Sequence, residues 1–104
     1  MTTYDFTAPL WRWSDEGDDA GSWHFVTVPI EHSERIRDEL VVPPRGFGSV
    51  RVAVRVGATA WETSVFPDSK SGCYVLPVRK AVRRAEDLEA GDPVPVSLTV
   101  RDDT

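Results

Sequence analysis

Three stretches of the chain place an apolar residue at every second position, and they set the frame for the rest. Val50, Val52, Val54 and Val56 alternate with Arg51, Ala53 and Arg55, which is the period-two pattern of a half-buried strand. Val94, Val96, Leu98 and Val100 repeat it at the C-terminal end, with Ser97, Thr99 and Arg101 on the other side. Phe6, Ala8 and Leu10 do the same within an expected first strand, Tyr4 to Trp13, while Trp11 and Trp13 point the opposite way. Pro9 lies inside that strand, which predicts an edge or a bulge because proline cannot donate to a ladder. Further strands are expected at Trp23–Pro29, Ala60–Phe66 and Cys73–Leu76, set off by the polar turn formers of 14–22 and 67–72.

Two stretches change to the helical period. Pro29 to Leu40 has a first-turn proline, early acids (Glu31, Glu34) and later bases (Arg35, Arg37), with a thin apolar stripe of Ile30, Ile36 and Leu40. From about Pro77 to Leu88, Val78, Ala81, Val82 and Ala85 recur at spacings of three and four. Arg79, Lys80, Arg83 and Arg84 then project from the other side.

These elements fall into two units, about 4–56 and 57–101. Each reads strand with tryptophan, polar loop, aromatic strand, proline, helix, turn, alternating strand. Trp11 is matched with Trp61, Pro29 with Pro77, Leu40 with Leu88, and the Val50–Val56 ladder with Val94–Val100. Neither unit can bury its sheet alone, so the two are expected to close against each other. The expected fold is a single mainly β domain, a small six-stranded barrel with two short helices and an internal pseudo-twofold repeat. Because one chain supplies both halves, a monomer is expected.

Composition narrows the chemistry. The chain has 104 residues and a net charge of -5, with nine acids and six bases over 1–56 and eight acids and six bases over 57–104. Neither half is a basic arm, so any polyanion must be held by a local patch. Cys73 is the sole cysteine, which excludes an internal disulfide and a cysteine-based zinc cluster. No apolar run approaches the roughly 20 residues of a membrane-spanning helix. The N-terminus lacks the basic and apolar regions of a signal peptide, and a cytoplasmic location is the expectation. No cofactor motif is present; Arg45-Gly46-Phe47-Gly48 lacks the length and ending of a phosphate loop and reads as a backbone turn.

Two candidate binding surfaces remain. Arg79, Lys80, Arg83 and Arg84, with Lys70 and Arg45, form a basic set able to hold phosphates or an acidic partner. Its structural alternative is a solvated helix paired with Glu86, Asp87 and Glu89. Trp61, Phe66 and Tyr74 can line an aromatic pocket at the barrel mouth for a small molecule. Their structural alternative is core packing. Ser64, Asp68, Lys70 and Cys73 crowd one loop, but His24 and His32 are distant in sequence and no triad spacing appears. Cys73 reads as a small buried hydrophobe. The acids Asp15, Glu16, Asp18 and Asp19 lack the spacing of a calcium loop and read as a solvated hairpin tip.

The stretch Leu76-Pro77-Val78-Arg79-Lys80, with Leu88-Glu-Ala-Gly91-Asp92 and Val94–Val100, resembles the AbrB- and MazE-like DNA-binding modules. In those families two chains complete one barrel. A more specific resemblance spans nearly the whole chain. It rests on Phe6-x-Ala8-x-Leu10-Trp11, Trp23-x-Phe25-Val26, Arg45-Gly46-Phe47-Gly48-Ser49-Val50, Trp61-x-Thr63-Ser64-x-Phe66-Pro67 and Gly72-x-Tyr74-x-Leu76-Pro77-Val78. These residues are similar to the bacterial domain-of-unknown-function family nineteen-oh-five. That resemblance implies a double-split β-barrel and leaves the biochemical role open. Some members look fused to a domain resembling bacteriocin-protection proteins, and no such second domain is expected here.

Overall fold

A computed structural model describes residues 2–13, 23–39 and 48–101. The strands are β1 (Thr3–Trp13), β2 (Trp23–Thr27), β3 (Val50–Val56), β4 (Thr59–Pro67), β5 (Tyr74–Pro77) and β6 (Pro93–Val100). The helices are α1 (Ile30–Glu39), between β2 and β3, and α2 (Lys80–Ala85), between β5 and β6. All pairings are antiparallel and close in the order β1-β2-β5-β4-β3-β6. One chain therefore closes the barrel.

Closure follows from the alternation. The β3 valines are buried while Arg51 and Arg55 are exposed, and Val94, Val96, Leu98 and Val100 behave alike on β6. Together with Leu10, Val26, Val65 and Leu76 they fill the interior. Such fully buried aliphatic side chains each contribute about 1.5–3 kcal/mol relative to exposure.

Pro9 marks a change of partner. β1 pairs with β6 through Thr3–Pro9 and with β2 from Leu10 onward. The Leu10 N–H donates to Asp92 O at 2.9 Å, so the even-numbered residues of β6 bond to β1 and the odd-numbered ones face β3. Pairing with β3 begins only at Ser97. Pro93 and Pro95 thus occupy odd positions on a flank without a strand partner, where a missing N–H costs nothing and discourages another strand from adding.

The pairing scheme maps onto itself when β1, β2 and β3 are exchanged with β4, β5 and β6. That exchange preserves inside and outside, which corrects one expected match. Trp61 pairs with Val54 on the inner face, whereas Trp11 pairs with Phe25 on the outer face. The two tryptophans are not equivalent positions.

Both helices depart from the expected pattern. In α1, Ile36 is buried as expected, but Ile30 is 47% exposed and Ser33 is completely buried. Ser33 has replaced an apolar contact with a polar bridge: its hydroxyl donates to Val28 O (3.1 Å) and accepts from the Tyr74 N–H (3.0 Å). Leu40 lies outside the described residues. α2 is shorter than expected because Asp87 adopts a left-handed φ of 55°. The N–H groups of Asp87 and Leu88 then reach back to Arg84 O and Arg83 O, closing the last turn as a Schellman motif with aspartate in the usual glycine place. Val78 and Val82 are buried; Ala81 and Ala85, expected on the same stripe, are exposed.

Candidate functional site

The first hairpin carries most of the candidate chemistry. β1 and β2 pair Leu10 with Val26, Trp11 with Phe25, Arg12 with His24 and Trp13 with Trp23. Alternation sends the two sets to opposite sides. Trp11, Trp13, Trp23 and Phe25 lie outside the barrel, while Arg12 and His24 continue the inner face past the last core residues.

The outer set is an exposed aromatic surface. Trp13 is 55% exposed and Trp23 57%. Trp23 stacks on Phe25 with ring centres 6.2 Å apart and planes 11° apart, and Trp11 meets Phe25 at 5.0 Å. Trp11 is fixed from below, because its Nε1–H donates to Thr27 Oγ1 at 2.9 Å. Phe66, 41% exposed, joins from β4 across Val75. Trp13, Trp23, Phe25, Phe66 and Val75 enclose an open concavity of about 340 Å³ whose exposed lining is wholly apolar.

The expected Trp61/Phe66/Tyr74 pocket is not assembled. Tyr74 is buried on the inner face, beneath the guanidinium of Arg37 at 5.3 Å from its ring centre. Phe66 faces outward next to it in the register, since Phe66 pairs with Val75 and Pro67 with Tyr74. Trp61 packs against the core with a buried Nε1 that has no partner. The sequence reading placed these aromatics together because it had no register between β4 and β5.

The basic set is also divided. Lys70 is exposed in the β4–β5 turn, which Asp68 organises by accepting from the Ser71 hydroxyl (2.9 Å) and the Lys70 N–H (3.3 Å). That turn abuts α1, where Arg37 donates to Gly72 O. Arg79, Lys80, Arg83 and Arg84 lie beyond the other end of β5. Arg45 lies outside the described residues, as do Asp15, Glu16, Asp18 and Asp19. The α2 bases do not pair with the acids that follow them. Glu86 turns to β4 and accepts from Thr59 Oγ1 at 2.7 Å. Among the described residues the ion pairs join Arg51 and Arg101 to Glu62, and none involves α2.

What α2 does instead was not legible in the sequence. The Val78 N–H donates to His24 O (2.9 Å), which ties the start of α2 to the end of β2. Arg83 folds back and donates from Nε to Val78 O at 3.3 Å. This brings Arg83 close enough to His24 for its charge to act on the imidazole. Burial holds the His24 imidazole below its usual pKa, and the charges of Arg83 and Arg12 lower it further. Arg79 and Arg83 are four residues apart, joined by the Arg83 N–H to Arg79 O bond (3.0 Å), and so lie on one side of the helix start.

The remaining loop candidates are structural in their contacts. The Cys73 thiol is buried and faces Ser71 O at 3.8 Å. No group of three or more metal-ligating side chains occurs among the described residues, and no helix there is long and apolar enough to cross a membrane. In comparison with known families, residues 6–98 match the family described as Domain of unknown function (DUF1905), and the chain belongs to that family. No curated protein shows significant similarity to it.

Proposed function

We propose that the chain is a non-enzymatic binding module for single-stranded nucleic acid, with the hairpin corner as its contact surface. The observation that carries this reading is the pair Trp13 and Trp23, each more than half exposed, with the basic helix α2, which makes no ion pair among the described residues, tied to the same hairpin. Exposed aromatic faces accept bases of any identity, and stacking contributes about 1–3 kcal/mol per base. Guanidinium groups supply oriented donors for phosphate oxygens. Together they form the combination by which single strands are held without base-specific hydrogen bonds. The net charge of -5 opposes a polyanion at long range, so affinity is local in origin and falls steeply with salt.

Intrinsic tryptophan fluorescence during titration with oligo-dT and oligo-rU, at low and physiological salt, tests this. Saturable quenching is expected, weakened about 5- to 150-fold by Trp13→Ala or Trp23→Ala, the factor that matches the stacking energy. The double charge reversal Arg79→Glu with Arg83→Glu should abolish it. Absence of quenching, or quenching indifferent to those substitutions, overturns the reading. The wholly apolar lining of the 340 Å³ concavity favours one second reading, a planar apolar small molecule held on the aromatic face. Binding would then be insensitive to salt and to the arginine substitutions.

A further inference from the structure

The pseudo-twofold exchange, followed along the outer face, leaves one acid without the partners of its counterpart. It carries Val50–Val56 onto Val94–Val100, and so Val54 onto Leu98 and Ala53 onto Ser97. Trp61 and Glu62 pair with Val54 and Ala53, while Tyr4 and Asp5 pair with Leu98 and Ser97, so Glu62 and Asp5 are equivalent positions. Glu62 meets Arg51 at 3.7 Å and also pairs with Arg101. The places equivalent to those two arginines hold Pro95 and Gly57, which bring no charge. The Asp5 side chain makes no ion pair or hydrogen bond among the described residues. Where the guanidinium groups would stand there is an open cavity of about 410 Å³, with Asp5, Pro95 and Gly57 in its lining. The strands account for the opening. β6 runs on to Pro93 beside β1, whereas its pairing with β3 ends at Ser97 and Arg55, just before the turn at Gly57. The cavity is within the size range of small-molecule sites, about 300–1,000 Å³.

The opposite charge stands on the far side of the same cavity. Asp5 pairs with Ser97 and Ser97 with Arg55, so the three side chains form one row on the outer face. Asp5 and Arg55 leave the backbone about 10 Å apart, two strand spacings. Arg55 is exposed, and its guanidinium also makes no ion pair or hydrogen bond among the described residues. The hydroxyls of Thr7 and Ser97 lie between and beside the two charges, and Phe6 and Val96 add apolar lining. We propose that this cavity binds a free α-amino acid with an apolar side chain. Its ammonium pairs with Asp5, as the arginines pair with Glu62, and its carboxylate pairs with Arg55. Both are charge-assisted bonds, and a headgroup carrying the two charges side by side fills the interval between the two residues. The ligand's side chain lies against Phe6, Pro95 and Val96. The site is on the N-terminal half of β1 and the tryptophan pair at its other end, so it stands independently of the nucleic-acid reading.

The probe is L-leucine, titrated into isotope-labelled protein at constant ionic strength and followed by the amide NMR signals. Saturable shifts are expected at Thr7, Gly57 and Ser97, whose residues line the cavity. Two half-ligands separate the charges: L-leucinamide keeps the cation and N-acetyl-L-leucine keeps the anion. Each should bind about tenfold or more weakly than leucine, the factor that matches one lost charge-assisted bond. Asp5→Asn and Arg55→Gln should each weaken leucine by a similar factor; both side chains are exposed, and circular dichroism verifies the fold. Arg55→Gln should leave the affinity for leucinamide unchanged, because that ligand has no carboxylate to lose. Equal affinity for leucine and leucinamide reduces the cavity to a seat for a cation and overturns the proposal. Equal affinity for leucine and N-acetyl-leucine removes Asp5 from the site and overturns it too. So does the absence of saturable shifts with leucine, and so do shifts that persist in both variants.

Discussion

Ser33→Ala is the substitution that tests most directly how the helix and the sheet are joined. Ser33 is completely buried, and its hydroxyl serves Val28 O and the Tyr74 N–H at once. Val28 and Tyr74 are also linked directly, Val28 N–H to Tyr74 O at 2.8 Å, so the serine extends the β2–β5 pairing by one bridge into α1. Alanine fills nearly the same volume and supplies neither bond. The Tyr74 N–H is then buried without an acceptor, which costs about 1–3 kcal/mol. Alanine's better helix propensity returns about 0.5 kcal/mol. A net loss of about 1–2.5 kcal/mol remains, or roughly a 1 M fall in the urea midpoint for a slope near 1–2 kcal/mol per molar. Ser69→Ala, in the exposed β4–β5 turn, should stay within about 0.5 kcal/mol and serves as the control. Amide exchange at Tyr74 should accelerate selectively in Ser33→Ala. A variant with an unchanged midpoint and a protected Tyr74 amide would refute the bridge.

Three further outcomes follow from single features. Asp87→Gly removes a side chain from the left-handed position at the end of α2 and should stabilise by about 0.5–1 kcal/mol in urea unfolding; a loss of stability would refute the Schellman assignment. Tyr4 and Tyr74, the only tyrosines, are both held above the usual phenol pKa of 10.0, chiefly by burial. The unfolded chain therefore releases those protons first, so stability falls as pH rises through about 10. Absorbance near 295 nm should show no phenolate step at 10.0 and one late step coincident with loss of circular dichroism; an earlier step with the fold intact contradicts the burial. Pro95→Val restores an N–H on the unpaired flank of β6. It should cost about 0.4–1 kcal/mol through the unfolded state and give concentration-dependent association by light scattering, the absence of which would discount the proline as an edge guard.

The fold was legible wherever one face was buried by alternation alone. Val50–Val56 and Val94–Val100 declared both strand and face, because period two with valine against arginine has no helical alternative. The helices were less legible for two physical reasons. Ser33 is polar and buried, so a search for apolar stripes passes over it. The end of α2 is set by the backbone angle of Asp87, a residue only mildly enriched in that conformation, while the glycine at 91 drew attention to a later turn. The candidate site was legible in its parts and not in its assembly. Trp13's exposure follows from its facing away from Leu10. That Arg83 returns to His24 depends on a hydrogen bond between Val78 and β2, which no spacing in the sequence encodes.

The pseudo-twofold pairing gives a reason to look for function at the first hairpin. An exchange of halves would make the β1–β2 and β4–β5 hairpins alike, and in the core they are. They differ in what joins the strands and in the side chains at that end. The second closes at once through Asp68, which bonds Cys73 O and receives Gly72 N–H, each at 2.8 Å. At the corresponding end of the first hairpin stand Arg12, Trp13, Trp23 and His24. In the second hairpin the corresponding places hold Pro67, Asp68, Cys73 and Tyr74, so closing the barrel does not require exposed aromatic side chains at the end of a hairpin. Nor does burial explain them, because Trp13 and Trp23 remain more than half exposed after folding. Large aromatic side chains left in water at positions where the fold does not need them are better explained by a ligand than by stability. The departure from symmetry and the convergence of aromatic and basic groups coincide at one corner of the barrel.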